Sequence, residues 1–166
     1  MNKDLEELKE EAAAFRGLFI EKTIYLERLM DNYLAEYFCE TEKKRSEIVY
    51  YFLSADNYGF DKKKEIFKII IEKQHPDLYV AMKDTFFPSL TSIIKTRNHL
   101  AHLLLDYSEK AIKKFTETRE IGFIKYGESF LNSNKQVTYT VDDIYVIYHK
   151  LALTTDTLEK LFDYNS

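Results

Sequence analysis

The chain has 166 residues, 45% of them hydrophobic, which is enough for one buried core, and its formal net charge is −4. The single cysteine, Cys39, excludes an internal disulfide and a cysteine-based zinc site, while the charged N-terminus and the absence of a long apolar run disfavour secretion and membrane insertion. Four glycines and two prolines favour long helices over a fold with many turns. We therefore expect one mainly α domain, residues 1–166, in the cytoplasm.

The first predicted element is a long amphipathic helix. Its apolar residues alternate in steps of three and four, with Lys22 as the one polar break, and further apolar positions widen the stripe. A stripe of that width favours packing inside a helical bundle over a free coiled coil. The residues of the repeat are Leu5, Leu8, Ala12, Phe15, Phe19, Leu26, Leu29 and Tyr33.

Shorter helices follow. Thr41 is the predicted N-cap of a helix that runs to Leu53, and Asp61 is the predicted cap of the next one. The dipeptide His75-Pro76 should end that second helix. Pro88 lies within the next predicted helix and removes one of its backbone donors, which predicts a kink or a break near Phe87.

The helix after Pro88 contains the most informative segment, Arg97-Asn98-His99-Leu100-Ala101-His102. Arg97 interrupts an apolar stripe, so its guanidinium requires a carboxylate, an amide or an anionic ligand as partner. The residues of that stripe are Leu90, Ile93, Ile94, Leu100, Ala101 and Leu104.

The last third of the chain predicts a short helix over 108–115, two strands around a polar turn at Asn132-Ser133-Asn134, and a final helix. The predicted strands alternate through Ile121 and Phe123 and then through Val137, Tyr139 and Val141. Thr140 and Asp143 form a capping box for the final helix. The predicted fold class is an up-down helical bundle with a small β-hairpin, about 120–140, inserted before the last helix.

Basic residues are concentrated around the motif. Residues 95–125 contain seven Lys and Arg residues against four Asp and Glu residues. This excess is typical either of a local anion-binding surface or of an ordinary solvated helix face. The candidate substrate-binding residues are Lys95, His99, Lys110, Lys113 and Lys114, with Arg119 and Lys125 in the same basic region.

Helix geometry limits what the motif can do within one chain. At about 100° per residue, Asn98 and His102 share a face, whereas Arg97 and His102 are about 140° apart around the axis. A twofold interface could bring the arginine of one chain beside the histidine of another. His99 and His102 could also pair as metal ligands, but no nearby carboxylate or cysteine completes such a set, so we predict no metal and no cofactor.

The stretch RNHLAH resembles the signature of the HEPN superfamily, small helical domains with an arginine and a histidine separated by four to six residues near the end of a bundle helix. The spacer here is four residues, Asn98 matches the polar residue that follows the arginine, and Ala101-His102 matches the frequent Ala-His ending. The predicted order of elements agrees with that fold, and the hairpin is an insertion.

The resemblance implies a homodimer that cuts RNA without a metal ion. In that case His102 is the general base or acid, Arg97 stabilises charge on the phosphate oxygens, and Asn98 orients His102 or binds phosphate. It also implies a toxin–antitoxin, abortive-infection or other defence context, with an antitoxin or regulatory protein as partner. Leu104 stands where toxins paired with small nucleotidyltransferase antitoxins usually have a tyrosine, which argues against that particular pairing.

The alternative is a non-catalytic HEPN dimerisation or adaptor module that binds a nucleotide or a partner protein. It predicts that protein carboxylates or carbonyls saturate Arg97. The nuclease hypothesis predicts that Arg97 and His102 remain available to substrate. Other enzyme templates fail, because the sequence has no glycine-rich phosphate loop, no Gly-x-Ser-x-Gly elbow and no His-Glu-x-x-His helix.

Overall fold

The computed structural model describes residues 3–54, 58–125 and 136–165. Over these ranges the chain is mainly α, with a small antiparallel sheet before the last helix, so the predicted fold class is confirmed. The elements are α1 (Lys3–Phe38), α2 (Glu42–Ile48), a π-helix (Val49–Leu53), α3 (Phe60–Gln74), α4 (Pro76–Met82), α5 (Phe86–His102), β1 (Leu104–Leu105), α6 (Glu109–Thr118), β2 (Ile121–Ile124), β3 (Val137–Tyr139) and α7 (Val141–Asn165).

Contacts divide the chain into two compact units. Unit 1 comprises Met1–Lys22 and Lys95–His149, and unit 2 comprises Thr23–Ile94 and Lys150–Ser166. Helices α1, α5 and α7 each contribute residues to both units. Whether the chain behaves as one domain stays a prediction. None of the described helices combines the length and the apolar content that a membrane span needs.

The core of unit 1 is aromatic. Phe15 of α1 makes edge contacts with Tyr139 and Tyr148, at ring-centroid distances of 5.4 and 6.1 Å, and Phe123 lies 6.0 Å from Tyr139. Phe19, also on α1, packs 5.8 Å from Tyr148. The α1 stripe predicted from the seven-residue alternation therefore supplies one side of this core. The sheet supplies another.

The sheet of unit 1 has three strands in the order β1-β2-β3, one more than the predicted hairpin. Leu104 pairs with Ile124 and Leu105 with Phe123, while Ile121 pairs with Tyr139. The helix predicted to continue through Leu104 therefore ends at His102, and the chain forms strand β1 from Leu104. The predicted turn at Asn132-Ser133-Asn134 lies outside the described residues.

Helix α7 begins where the capping box places it. The Thr140 amide donates to Oδ2 of Asp143 (2.9 Å), and the Asp143 amide donates to Oγ1 of Thr140 (3.1 Å). The prediction that Val141 belongs to a strand is wrong, because this reciprocal bond makes Val141 the first residue of the helix. The short helix of unit 1 is also confirmed. Ser108 caps it, and it extends to Thr118.

In unit 2, the predicted helix boundaries hold with two changes. Thr41 caps α2 as expected, and His75-Pro76 separates α3 from α4. Asp61 is not a cap: Gly59 holds the N-cap position, and Asp61 lies in the first turn of α3. The break predicted near Pro88 falls at 83–85 instead. Pro88 lies in the first turn of α5, where backbone N–H groups have no partner within the helix, so a proline costs no hydrogen bond there.

Candidate functional site

The motif forms the end of α5, within unit 1. Leu100 is fully buried, whereas Ala101 and His102 are exposed. Directly after the helix, the Leu103 carbonyl accepts a hydrogen bond of 2.8 Å from Nη2 of Arg16, whose guanidinium also lies 5.1 Å from the centroid of the Phe123 ring. The end of the motif helix is therefore attached to both α1 and the sheet.

The prediction that Arg97 lies on the buried stripe is wrong, because the buried position belongs to the residue before it. Thr96 occupies the position between Ile93 and Leu100 and is 7% exposed. Arg97 is half-buried beside the stripe, and its Nη1 donates to Oδ1 of Asn98 at 3.1 Å. The described part of the chain offers this guanidinium no carboxylate ion pair. Its five donors are consequently far from saturated.

His99 is the best-anchored histidine of the motif. Its Nδ1 lies 3.3 Å from Oη of Tyr139, which is 6% exposed. Desolvation by burial, and secondarily the charge of Lys95, lowers the pKa of His99 below 6.5. The side chain therefore favours the neutral imidazole near pH 7.

The remaining candidates on α5 differ in their exposure to solvent. Lys95 and His102 are exposed and Asn98 is half-buried. The structure shows no contact between Arg97 and His102 within the described chain. The geometric expectation that one straight helix separates them is consistent with the continuous α5 observed.

On α6, two of the three predicted substrate-binding lysines are engaged by carboxylates. Nζ of Lys114 lies 3.0 Å from Oε2 of Glu120, and Nζ of Lys113 lies 3.8 Å from Oε1 of Glu117. Lys110 is exposed. Beyond the helix, Arg119 is bound by Glu7 at 3.0 Å and also by Glu11. Much of the predicted basic excess is thus compensated locally.

A polar junction that the sequence reading missed fixes the loop after β1. The Asp106 carboxylate accepts bonds from the Ser108 amide (2.9 Å) and from Nε2 of Gln136 (2.6 Å), and the Asp106 amide donates to the Gly122 carbonyl (2.8 Å). An Asp two residues before a Ser that caps a helix is the local signal that could have indicated it.

Unit 2 holds a second missed group, the Lys63 cluster, composed of Lys63, Glu27 and Asp31. Nζ of Lys63, in a residue 3% exposed, lies 2.6 Å from Oε1 of Glu27 and 2.9 and 3.0 Å from the two carboxylate oxygens of Asp31. Burial raises the pKa of Asp31 to about 6, against the lowering effect of Lys63. One ammonium cannot fully compensate two withdrawn carboxylates.

Unit 2 also contains an open groove of about 800 Å³. Arg45 lines it, but its Nε donates to the Cys39 carbonyl (3.0 Å) and its Nη1 lies 3.8 Å from Glu36. The guanidinium is therefore already engaged, which makes the groove a weaker anion site than the end of α5. Across the described ranges, no group of three or more His, Cys, Asp or Glu residues is placed to hold a metal ion.

Compared with known proteins, the chain has no significant match to a family model, a curated protein or a solved structure. The candidate site therefore rests on the residues and geometry of α5 alone.

Proposed function

We propose that this chain is a metal-independent endoribonuclease of the HEPN type that acts as a homodimer. The observation that carries the proposal is the state of Arg97: it is withdrawn from solvent, yet within the described residues its partner is only the amide of Asn98. A half-buried guanidinium without a counter-charge favours a negatively charged ligand. RNA phosphate meets that requirement.

The reaction would be attack of an RNA 2′-hydroxyl on the adjacent phosphate. His102 is exposed at the end of α5, where an imidazole can transfer a proton to or from substrate. Arg97 would stabilise charge on the phosphorus oxygens through its planar fork. Asn98, bonded to Arg97, would hold that fork in place rather than orient His102.

The directions of the two side chains support the homodimer. Because Arg97 and His102 leave α5 about 140° apart, a composite site would combine His102 of one protomer with Arg97 of the partner subunit. By the same resemblance we propose a defence, abortive-infection or toxin–antitoxin role in the cytoplasm, with an antitoxin or regulatory protein as partner.

One observation favours the non-catalytic alternative, a HEPN dimerisation or adaptor module. The compensation of Lys113, Lys114 and Arg119 by carboxylates leaves a smaller positive surface for RNA than the sequence suggests. Phosphate contacts by Lys and Arg supply much of the affinity of proteins for nucleic acids. An adaptor has no need of that surface.

The test is cleavage of a mixed RNA pool in EDTA by the wild type and by the His102→Ala and Arg97→Ala variants. His149→Ala and Arg28→Ala are matched controls, because each removes an exposed residue of the same type outside the motif. We expect the motif variants to lose at least about 100-fold in rate and the controls to retain the wild-type rate. Products should end in 2′,3′-cyclic phosphates.

The oligomeric state is measured on the same samples by light scattering. Equal folding and equal dimerisation of all five proteins would assign the loss of cleavage to chemistry. A dimeric wild type that leaves the RNA intact, or motif variants that cleave as fast as the controls, would contradict the nuclease and favour the adaptor.

A further inference from the structure

Cleavage of RNA through its 2′-hydroxyl needs two proton transfers, and His102 can serve only one at a time. The 2′-hydroxyl must lose a proton as it attacks, and the departing 5′-oxygen must gain one. The proposed function leaves the second group unassigned. The end of α5 contains a second imidazole that fits this role.

His99 and His102 lie three residues apart on the continuous helix α5, so they are about 60° apart around its axis. Lys95 is one turn before His99 on the same face, and Asn98 is one turn before His102. Two imidazoles, an ammonium and an amide therefore share one side of α5. Arg97 leaves the helix about 160° around the axis from His99, and its guanidinium reaches back to Asn98 at the edge of this set.

Tyr139 fixes the His99 ring from the sheet. Its hydroxyl lies 3.3 Å from Nδ1 of His99, while its own ring is held in edge contacts with Phe15 and Phe123. If Nδ1 carries the proton and donates it to Oη, Nε2 is left as the acceptor that can point to solvent.

The surroundings of His99 favour a base. Burial and then Lys95 lower its pKa, so the unprotonated ring predominates near neutral pH. From the sheet, the titratable group that faces His99 is Tyr139, whose pKa Asp143 of α7 helps to raise. Along α5, His102 follows three positions later. No carboxylate of the described chain bonds directly to His99.

We propose, on the basis of the proposed nuclease function, that His99 is a second catalytic histidine. Nε2 of His99 takes the proton of the RNA 2′-hydroxyl as its oxygen forms a bond to phosphorus. The bond from phosphorus to the 5′-oxygen breaks, its electron pair goes to that oxygen, and His102 donates the proton. The products are a 2′,3′-cyclic phosphate and a 5′-hydroxyl. Lys95, exposed one turn before His99, binds the same phosphate group.

The experiment measures kcat/KM for a short RNA against pH in EDTA, for the wild type and for the His99→Asn, Tyr139→Phe, Lys95→Gln and His149→Ala variants. Asn at position 99 can still donate to Oη of Tyr139 but cannot act as a base, so it preserves the structure while removing the chemistry. Phe at 139 keeps the ring and removes only the hydroxyl. His149→Ala is the control for an exposed histidine outside the motif.

We expect wild-type kcat/KM to rise with pH through a pKa below 6.5, because the base must be unprotonated. His99→Asn should lose at least about 100-fold and should no longer show this rise. Lys95→Gln should move the rise to higher pH, since the charge that disfavours protonation of His99 is removed. Tyr139→Phe should lose less than His99→Asn.

Two failures are distinguishable. If the wild type cleaves and His99→Asn stays within about threefold of it with the same rise, this inference is wrong and the proposed nuclease stands. If the folded, dimeric wild type cleaves at no pH, both are wrong. Nitrogen chemical shifts of His99 give an independent check, because a proton on Nε2 at neutral pH would overturn the assignment of the base.

Discussion

Two basic side chains that are withdrawn from solvent have very different surroundings in the two units. In unit 2, Lys63 is held between Glu27 and Asp31 at distances of 2.6 to 3.0 Å. In unit 1, Arg97 has only the neutral amide of Asn98 within the described chain. The first arrangement is what a cation needs to be structural. The second leaves most of its hydrogen-bonding capacity for a ligand.

The largest effect should come from breaking the structural cation. Lys63→Met leaves two carboxylates without their ammonium, and we expect a loss of about 3–5 kcal/mol in the free energy of unfolding, measured by urea denaturation. Lys73→Met, an exposed lysine on the same helix, should change stability by less than about 0.5 kcal/mol. Equal, small losses for both variants would show that the Lys63 cluster does not stabilise unit 2.

A smaller effect should appear in the pH dependence of the free energy of unfolding. The folded pKa of Asp31, about 6, is above the ordinary value of 3.8, so the folded chain binds this proton more tightly than the unfolded chain. The stabilisation is therefore present below pH 4 and is lost as the pH rises through 6.

Urea denaturation of the wild type and of Asp31→Asn over this range isolates the contribution of that carboxyl. The difference, wild type minus variant, should fall with rising pH by on the order of 1–3 kcal/mol. A difference that rises with pH would mean that Lys63 lowers the pKa of Asp31 more than burial raises it.

The smallest effect on stability should come from Arg97. Arg97→Ala removes no ion pair of the described chain, so we expect a change below about 0.5 kcal/mol. Thr140→Ala is the positive control in the same unit, because it removes both hydrogen bonds between the Thr140 hydroxyl and Asp143 and should cost about 1 kcal/mol. A loss above 2 kcal/mol for Arg97→Ala would make this arginine structural, like Lys63.

The sequence predicted the helices well because their periodicity and caps are local. Thr41 and the Thr140–Asp143 pair cap the helices expected of them, and the helix expected from Ser108 begins at Glu109 with Ser108 as its cap. The strand β1 was missed because two residues, Leu104 and Leu105, are too few to show alternation and are equally compatible with the end of a helix.

The environments of individual side chains were harder to predict. The spacing of the apolar residues places Arg97 on the buried stripe, whereas the buried residue is Thr96, which is 7% exposed. A threonine is small enough to be buried at such a position. Lys63 lies in a run of three lysines that is typical of a solvated face. Its burial is explained by its pairing with Glu27 and Asp31, which lie more than thirty positions earlier in the chain.

The bond from Arg16 to Leu103 and the pairing of β1 leave one residue, Leu103, between the last helical position and the first strand position. With one connecting residue, the junction cannot accommodate a change in length unless the helix or the strand moves. Inserting or deleting one residue there would rotate the helix by about 100° against the sheet, or would exchange the two sides of β1. We therefore expect the protein to tolerate a substitution at Leu103, whose backbone carbonyl accepts the Arg16 bond, better than a change in the length of this junction.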